Sequence, residues 1–441
     1  MGPSKGWRRV CLGDLVSVKH GFAFSGECFV EGRTPDVLVT PGNFALGGGF
    51  KLDKPKYYGG PVPPPEFILS PGDLIVTMTD LSKTSDTLGY GAVVPILSGV
   101  RLLHNQRIGR VVVNRPDLTS CDYLHWVLRS DSYRQEVLAS ASGSTVKHTA
   151  PSRIEAYRFL LPPLEEQRAI ANILGTLDEK IELNRRTNET LEAMARALFK
   201  SWFVDFDPVR AKAAGRQPSG MDADTAKLFP AELVESELGE IPKGWTARSL
   251  DAIADFRNGL PLQKFRPAEG APRLPVVKIA QMRTGQPDGG EWARADIDPK
   301  CIIENGDVIF SWSGSLAVVV WSGGRAALNQ HLFRVTSEAY PKWFCLQWLL
   351  LHLPAFQRIA ADKATTMGHI QRHHLTAAQC MVPTGEILRF ADRVFAPLLE
   401  RRVALDLEAR SVARLRDELL PRLLSGELPV RAAERVLEAQ A

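Results

Sequence analysis

Residues 161–206 read LPPLEEQRAIANILGTLDEKIELNRRTNETLEAMARALFKSWFVDF, and the period of this stretch decides the fold. Ile170, Leu174, Leu177, Ile181, Asn184, Asn188, Leu191, Ala195, Leu198 and Trp202 recur in alternating steps of four and three, a heptad seam. Pro162 and Pro163 stand at the entrance, where a missing N–H costs least. Beyond them only Gly175 interrupts good helix formers, so one helix of roughly 40 residues and about 60 Å is expected. A helix of that length needs a partner along its seam.

Working outward, the chain repeats itself. Gly6-Trp7 returns as Gly244-Trp245, 238 residues on; Gly72-Asp73 before LIVTM returns as Gly306-Asp307 before VIFSW, 234 on. Asn105-Gln106 returns as Asn329-Gln330 at 224, His148 as His369 at 221, and Pro163 as Pro383 at 220. The order holds while the offset shrinks, so the second copy is the same scaffold with shorter loops. Each copy opens with short β-branched and aromatic runs separated by turn residues, then a short helical stretch (123–139 and 343–361), then a long helix. The second long helix is expected over 384–425, with seam positions Ile387, Ala391, Val394, Leu398, Arg401, Leu405, Glu408, Val412, Leu415 and Leu419. Gly426 would terminate it, and Pro397 would kink it or delay its start. The fold class is therefore α+β: two strand-rich domains in a pseudo-twofold repeat, joined by two long antiparallel coiled-coil helices.

The boundaries are 1–162 for the first domain, 163–206 for its helix, and 207–243 for a Pro, Gly, Ala and charge-rich linker with a short helix near 230–237. The second domain is 244–383, its helix 384–428, and a tail follows at 429–441. Pairing of the helices at their midpoints would bring Asn184 and Asn188 to Arg401 and Glu408. These form either a buried polar layer that sets register or a splayed, solvated segment. In the first case Asn188→Leu should stabilise the protein while blurring its register. Off the seam, Ile173, Met194, Phe199 and Phe203 widen the apolar face. They either pack on the chain's own domains or form a partner-binding surface.

Composition excludes several classes. Of the 441 residues 44% are hydrophobic and 24% charged, which is ordinary for a globular protein, and no apolar run is long enough to cross a bilayer. Six scattered cysteines without a C-x-x-C pair fit reduced thiols, so a cytoplasmic location is expected. There is no phosphate-binding P-loop, no G-x-S-x-G elbow, no H-E-x-x-H and no glycine-rich cofactor turn. The methylation element N/D-P-P-Y/F is also missing, and no carboxylate–lysine cluster indicates a nuclease. His369, His373 and His374 have the i, i+4 spacing of metal ligands but no third ligand, so no metal is expected and they read as part of a basic surface.

A net charge of +4 is too small to argue for nucleic acid by itself, so the placement of charge has to carry the case. In the first copy Arg101, His104, Arg107, Arg110 and Arg115 follow one another without an intervening acid. Lys147 and His148 follow a Ser-Gly-Ser-Thr turn, and Ser82, Lys83 and Thr84 sit in a polar loop after the LIVTM strand. The second copy offers Trp312, Ser313 and Ser315, then Arg325 with Asn329 and Gln330, then Thr365, His369 and Arg372. Arg suits guanine and Asn or Gln suits adenine, and hydroxyls and lysines suit phosphate. The repeated Asn105-Gln106 and Asn329-Gln330 have a second reading, as parts of the shared scaffold.

With LPPLEEQRAIANILGTLDEKIELN (161–184), FKSWFVDF (199–206), ELGEIPKGW (237–245), GSTVKH (143–148) and DELLPRLLSGEL (417–428), the chain resembles the specificity subunits of type I restriction–modification systems over nearly its whole length. The second copy departs from the pattern at MVPTGEILRF and at Ala364-Thr365-Thr366. The resemblance implies a non-catalytic subunit whose two target-recognition domains each read half of a split double-stranded DNA sequence, spaced by the helices. It also implies two adenine-N6 methyltransferase subunits and ATP-dependent restriction subunits as partners, with S-adenosylmethionine, ATP and Mg on those partners. The competing readings are a coiled-coil scaffold that binds protein alone and a single-chain DNA-modifying enzyme.

Overall fold

The computed structural model describes residues 6–80, 82, 86–143, 146–362 and 368–438. The heptad stretch is one helix, Leu164–Phe203, and its counterpart is Gly385–Leu424; each is 40 residues long. The first starts directly after the two prolines, with Glu165 and Glu166 in the turn where the helix dipole favours anions. The second ends where expected: Gly426 takes the left-handed conformation (φ 72°) and Leu428 N–H returns to the Arg422 carbonyl at 2.9 Å. Pro397 does not delay the second helix, which runs through it.

The chain forms two compact units, Met1–Lys180 with Val412–Ala441, and Ile181–Ser411. The division falls inside both long helices, so each unit owns a segment of each.

In the first unit, Arg8–Cys11 pairs antiparallel with Arg158–Leu161 and leads the chain into the helix. An antiparallel sheet orders Val16–His20, Ile108–Val113, Leu74–Thr77 and Gly91–Val93. A second sheet orders Phe29–Val30, Lys56–Tyr58, Asp36–Val39, Arg101–His104 and Ile68–Leu69, with Asp36–Val39 parallel to Arg101–His104. The run 74–76 is apolar throughout because it is buried on both faces. Leu74 and Val76 enter the core shared with Tyr123, Trp126, Ile170, Leu174, Leu419 and Leu423, whereas Ile75 enters the core of the second sheet. The helical stretch expected over 123–139 is two helices, Cys121–Val127 and Asp131–Ala139. Ser120 and Ser130 each accept a backbone N–H as N-caps, and Ser130 ends one helix's run by starting the next.

The second unit repeats this plan. Thr246–Ser249 pairs with Gln379–Val382, and the antiparallel sheet runs Asp255–Asn258, Leu332–Thr336, Val308–Ser311, Val318–Val320. A further sheet orders Trp292–Arg294, Arg273–Val277, Ala326–Leu328 and Ile302–Ile303, again with one parallel pair. Val308 and Phe310 face one core and Ile309 the other. Residues 207–243 are more than a linker: they form helices Asp207–Ala213 and Ala223–Leu228 and a hairpin, Leu233–Ser236 with Gly239–Pro242. The helix expected near 230–237 is thus a strand, and Val209 and Phe229 are buried in the unit's core.

The helix segments of the second unit are antiparallel and carry the polar layer. Asn184 Nδ2 donates to Glu408 Oε2 at 3.0 Å, Asn188 Nδ2 donates to Asp406 Oδ1 at 2.7 Å, and Arg402 pairs with Glu192 at 2.9 Å. Asn184 and Asn188 are buried, which settles the choice between a buried layer and a splayed one. Arg401, expected on the seam, is exposed; Arg402 and Asp406 take the inward positions.

Candidate nucleic-acid interface

Both units build their binding face on one backbone frame. Gly21 and Gly259 each pass so close to the crossing strand that a Cβ would stand 2.4 Å from the Asn105 carbonyl oxygen and 2.1 Å from that of Leu328. There Phe22 N–H donates to the His104 carbonyl (2.8 Å) and Gln106 N–H to the Phe22 carbonyl (2.9 Å). The second unit repeats this with Leu260 to Leu328 (2.9 Å) and Gln330 to Leu260 (3.0 Å). The asparagines close the turn: Asn105 Oδ1 accepts Arg107 N–H at 3.1 Å, and Asn329 Oδ1 accepts His331 N–H at 3.2 Å. Both are buried and bonded within the turn, which fits the scaffold reading of the repeated Asn105 and Asn329.

In the first unit the frame opens onto a cavity of about 700 Å³. One wall is the Gln106–Arg107 corner, with both side chains exposed. Another is the loop after Thr79–Asp80, where Ser82 lies; Lys83 and Thr84 are outside the described residues. Asp80 organises that loop. Burial alone would raise its carboxyl, but the donors of Ser82 and Thr87 outweigh burial and hold it below the usual carboxylate range. The hydrogen bonds are Ser82 N–H to Oδ1 (2.6 Å) and Thr87 N–H and Oγ1 to Oδ2 (2.5 and 2.7 Å). The third wall was not anticipated: Lys51 and Lys56 with Phe29 and Leu46, the latter two exposed apolar side chains. The stretch KLDKPKYY carried a signal in its alternating lysines, but it lies outside the repeated motifs.

Lys147 and His148 pair by backbone with Asp80 and Thr79, and the His148 ring lies 3.1 Å from Thr79 Oγ1. Arg101 is engaged within the unit. Its guanidinium forks onto Asp36 at 2.6 and 2.7 Å, and this hydrogen-bonded pairing raises its pKa further. Withdrawing it would strand a buried carboxylate.

In the second unit a cavity of about 420 Å³ is lined by Trp312, Phe333, His369, Arg372 and Asn258. Arg372 Nη2 donates to the Phe256 carbonyl (3.2 Å) and Asn258 Oδ1 (3.3 Å), and its guanidinium lies over the Phe333 ring. Trp312 Nε1 donates to the Gln330 carbonyl at 3.2 Å, and its ring packs against His331, which the sequence reading missed. Ser313 is buried with its hydroxyl 3.1 Å from His331 Nδ1, so it supports the face rather than reading from it. Ser315 is exposed and accepts from Arg283 at 3.3 Å; Arg325 is paired with Glu304 at 3.4 Å and does not line this cavity. Thr365 lies outside the described residues. Among the described residues no group of three His, Cys, Asp or Glu side chains could hold a metal ion, and no helix is long and apolar enough to cross a membrane.

The expected partner surface is corrected. Ile173 is buried in the first unit's core, and Phe199 and Phe203 are buried in the second's, where both approach Phe344 and Phe395. Only Met194, 48% exposed, stays on the surface.

Comparison with known proteins follows this geometry. Residues 4–193 match the family described as type I restriction modification DNA specificity domain. The chain is 27% identical to the specificity subunit of the type I restriction enzyme HindI of Haemophilus influenzae, over 67% of this chain and 74% of that one. It is 21% identical to the EcoBI specificity subunit of Escherichia coli, over 96% and 86%. In fold it is similar to the crystal structure of a type I restriction–modification S subunit from M. genitalium: TM-score 0.51, 15% identity, 96% of this chain and 99% of that one.

Proposed function

Because the chain belongs to the type I restriction–modification specificity subunits, we propose that it is the DNA sequence-specificity subunit of such a complex, each unit reading one half of a split double-stranded site. The observation that carries this reading is the duplicated frame: the same glycine, asparagine and carbonyl crossings support different side chains, an exposed Arg107 in one unit and a half-buried His331 packed on Trp312 in the other. One scaffold with two sets of side chains is what reading two different half-sites requires. The chain supplies recognition, and the chemistry belongs to its partners: adenine-N6 methyltransferase subunits using S-adenosylmethionine, and restriction subunits using ATP and Mg. With a net charge of only +4, the subunit alone binds DNA weakly and the partners add phosphate contacts.

The test is adenine-methylation mapping in cells with and without the gene. The expected result is one bipartite motif that disappears on deletion and returns on complementation. Methylation indifferent to the gene, or without sequence preference, refutes the reading and leaves a protein-binding scaffold.

A further inference from the structure

We propose that Arg107 reads a guanine in the half-site of the first unit; this rests on the proposed function and assigns a base to one of its two readers. Three observations converge on this residue.

First, its main chain is fixed on both sides. Its N–H donates to Asn105 Oδ1 at 3.1 Å and its carbonyl accepts Met78 N–H at 2.9 Å, so the corner cannot swing away from its cavity. Second, its side chain is uncommitted. The neighbouring Arg101 forks onto Asp36 and Arg110 pairs with Asp73 at 3.1 Å, whereas the exposed guanidinium of Arg107 has no ion-pair or hydrogen-bond partner among the described residues. At the matching position of the second unit His331 is occupied by Ser313 and Trp312, so the frame itself does not demand a free cation there.

Third, the cavity it lines also carries Asp80 and Asp86. Beside Lys51 and Lys56 these carboxylates give the cavity both signs of charge, which suits base edges, with their donors and acceptors, better than a uniformly anionic phosphate track. An exposed, unpaired guanidinium on a fixed backbone corner matches the two acceptors N7 and O6 of guanine in the major groove, a bidentate pairing that its planar fork makes more strictly than a lysine ammonium does.

The assay is competition binding of the full-length chain, co-purified with its methyltransferase, to duplexes carrying the wild-type motif and to a panel in which each guanine is replaced in turn. The wild-type complex is expected to reject one replacement in one half-site by roughly 10- to 100-fold. Arg107→Ala and Arg107→Lys are each expected to bring that ratio below about threefold, with every ratio in the other half-site unchanged. Thermal unfolding of each variant at the wild-type midpoint checks the fold.

A guanine ratio that survives both substitutions overturns the proposal. So does a uniform loss of affinity across the panel with a shallower salt dependence, which is the signature of a phosphate contact. A wild-type complex that discriminates nowhere refutes the proposed function instead, so the two failures are distinguishable.

Discussion

Replacing Asn188 and Asp406, singly and together, tests what the polar layer of the second unit does. The sequence alone predicts that Asn188→Leu stabilises the protein, because an asparagine on an apolar seam is a cost. The structure reverses that expectation, since the partner across the seam is a carboxylate: Asn188 Nδ2 donates to Asp406 Oδ1 at 2.7 Å. A hydrogen bond to a charged group contributes about 1.5–3 kcal/mol. Against it stand the buried Asn188 Oδ1, which has no partner, and the apolar area a leucine would bury, together about 1–2 kcal/mol. Asn188→Leu is therefore expected to destabilise by about 1 kcal/mol at pH 7. Asp406→Leu should be near neutral, as it relieves a desolvated carboxylate but orphans a buried amide. The double variant should match or exceed the wild type, because it removes the buried amide together with its half-buried carboxylate partner.

The readout is a double-mutant cycle by urea denaturation, with a coupling energy of about 1 kcal/mol or more. Burial raises the Asp406 carboxyl pKa despite Arg402 and Asn188, so the folded state holds its proton more tightly than the unfolded chain does. Stability should consequently fall as pH climbs from below about 4 through the raised value, and Asp406→Asn should remove that slope. Coupling under about 0.5 kcal/mol, or a double variant weaker than either single one, would refute the reasoning.

Three further outcomes are expected. In the first unit Asp178 is bound by both Arg129 and Arg416; burial opposes its ionisation, but the two guanidinium groups hold its pKa below the usual range. Asp178→Asn should cost about 3 kcal/mol in urea denaturation at pH 7. The wild type should lose this contribution as pH falls below about 4 and through the lowered value, and an unchanged midpoint would exclude a stabilising role. Gly21→Ala and Gly259→Ala should each cost about 1–3 kcal/mol by calorimetry, because the added methyl meets a backbone carbonyl that cannot step aside; losses under about 0.5 kcal/mol would mean that the frame yields. Met194→Asp should leave the unfolding midpoint within about 0.5 kcal/mol of wild type yet weaken co-purification of the methyltransferase, and unchanged association would remove Met194 from the docking surface.

Period and repetition made the architecture legible. Steps of four and three located both long helices, and the shrinking offsets located two copies whose strand orders match. Elements set by tertiary context were not legible. The hairpin in 207–243 reads as linker because its strands are short and polar, and only the burial of Val209 and Phe229 shows that the segment belongs to a core. The exchange of Arg401 for Arg402 and Asp406 is a local shift of one position that a heptad count cannot detect, since the polar partners rather than the apolar ones choose the inward face there.

The candidate site divided along a physical line. Motifs that carry the resemblance are built into the scaffold. Gln167, the glutamine of LPPLEEQ, donates to the Leu118 and Pro162 carbonyls at 2.8 Å each and accepts from Thr119 and Ser120, tying the helix start to the first unit. Phe203 and Phe206 of FKSWFVDF close on Trp245 of GEIPKGW, joining two motifs 39 or more positions apart in one aromatic cluster. These side chains are committed to contacts within their own units. The copies differ on a common frame at Arg107 against His331, whose carbonyls accept the backbone N–H groups of Met78 and Trp312 at 2.9 and 3.4 Å, and the proposed function assigns half-site discrimination to that position. On the proposed function, an exposed side chain that diverges at a fixed frame position is where two units built on one scaffold can read different bases, as Arg107 does against His331.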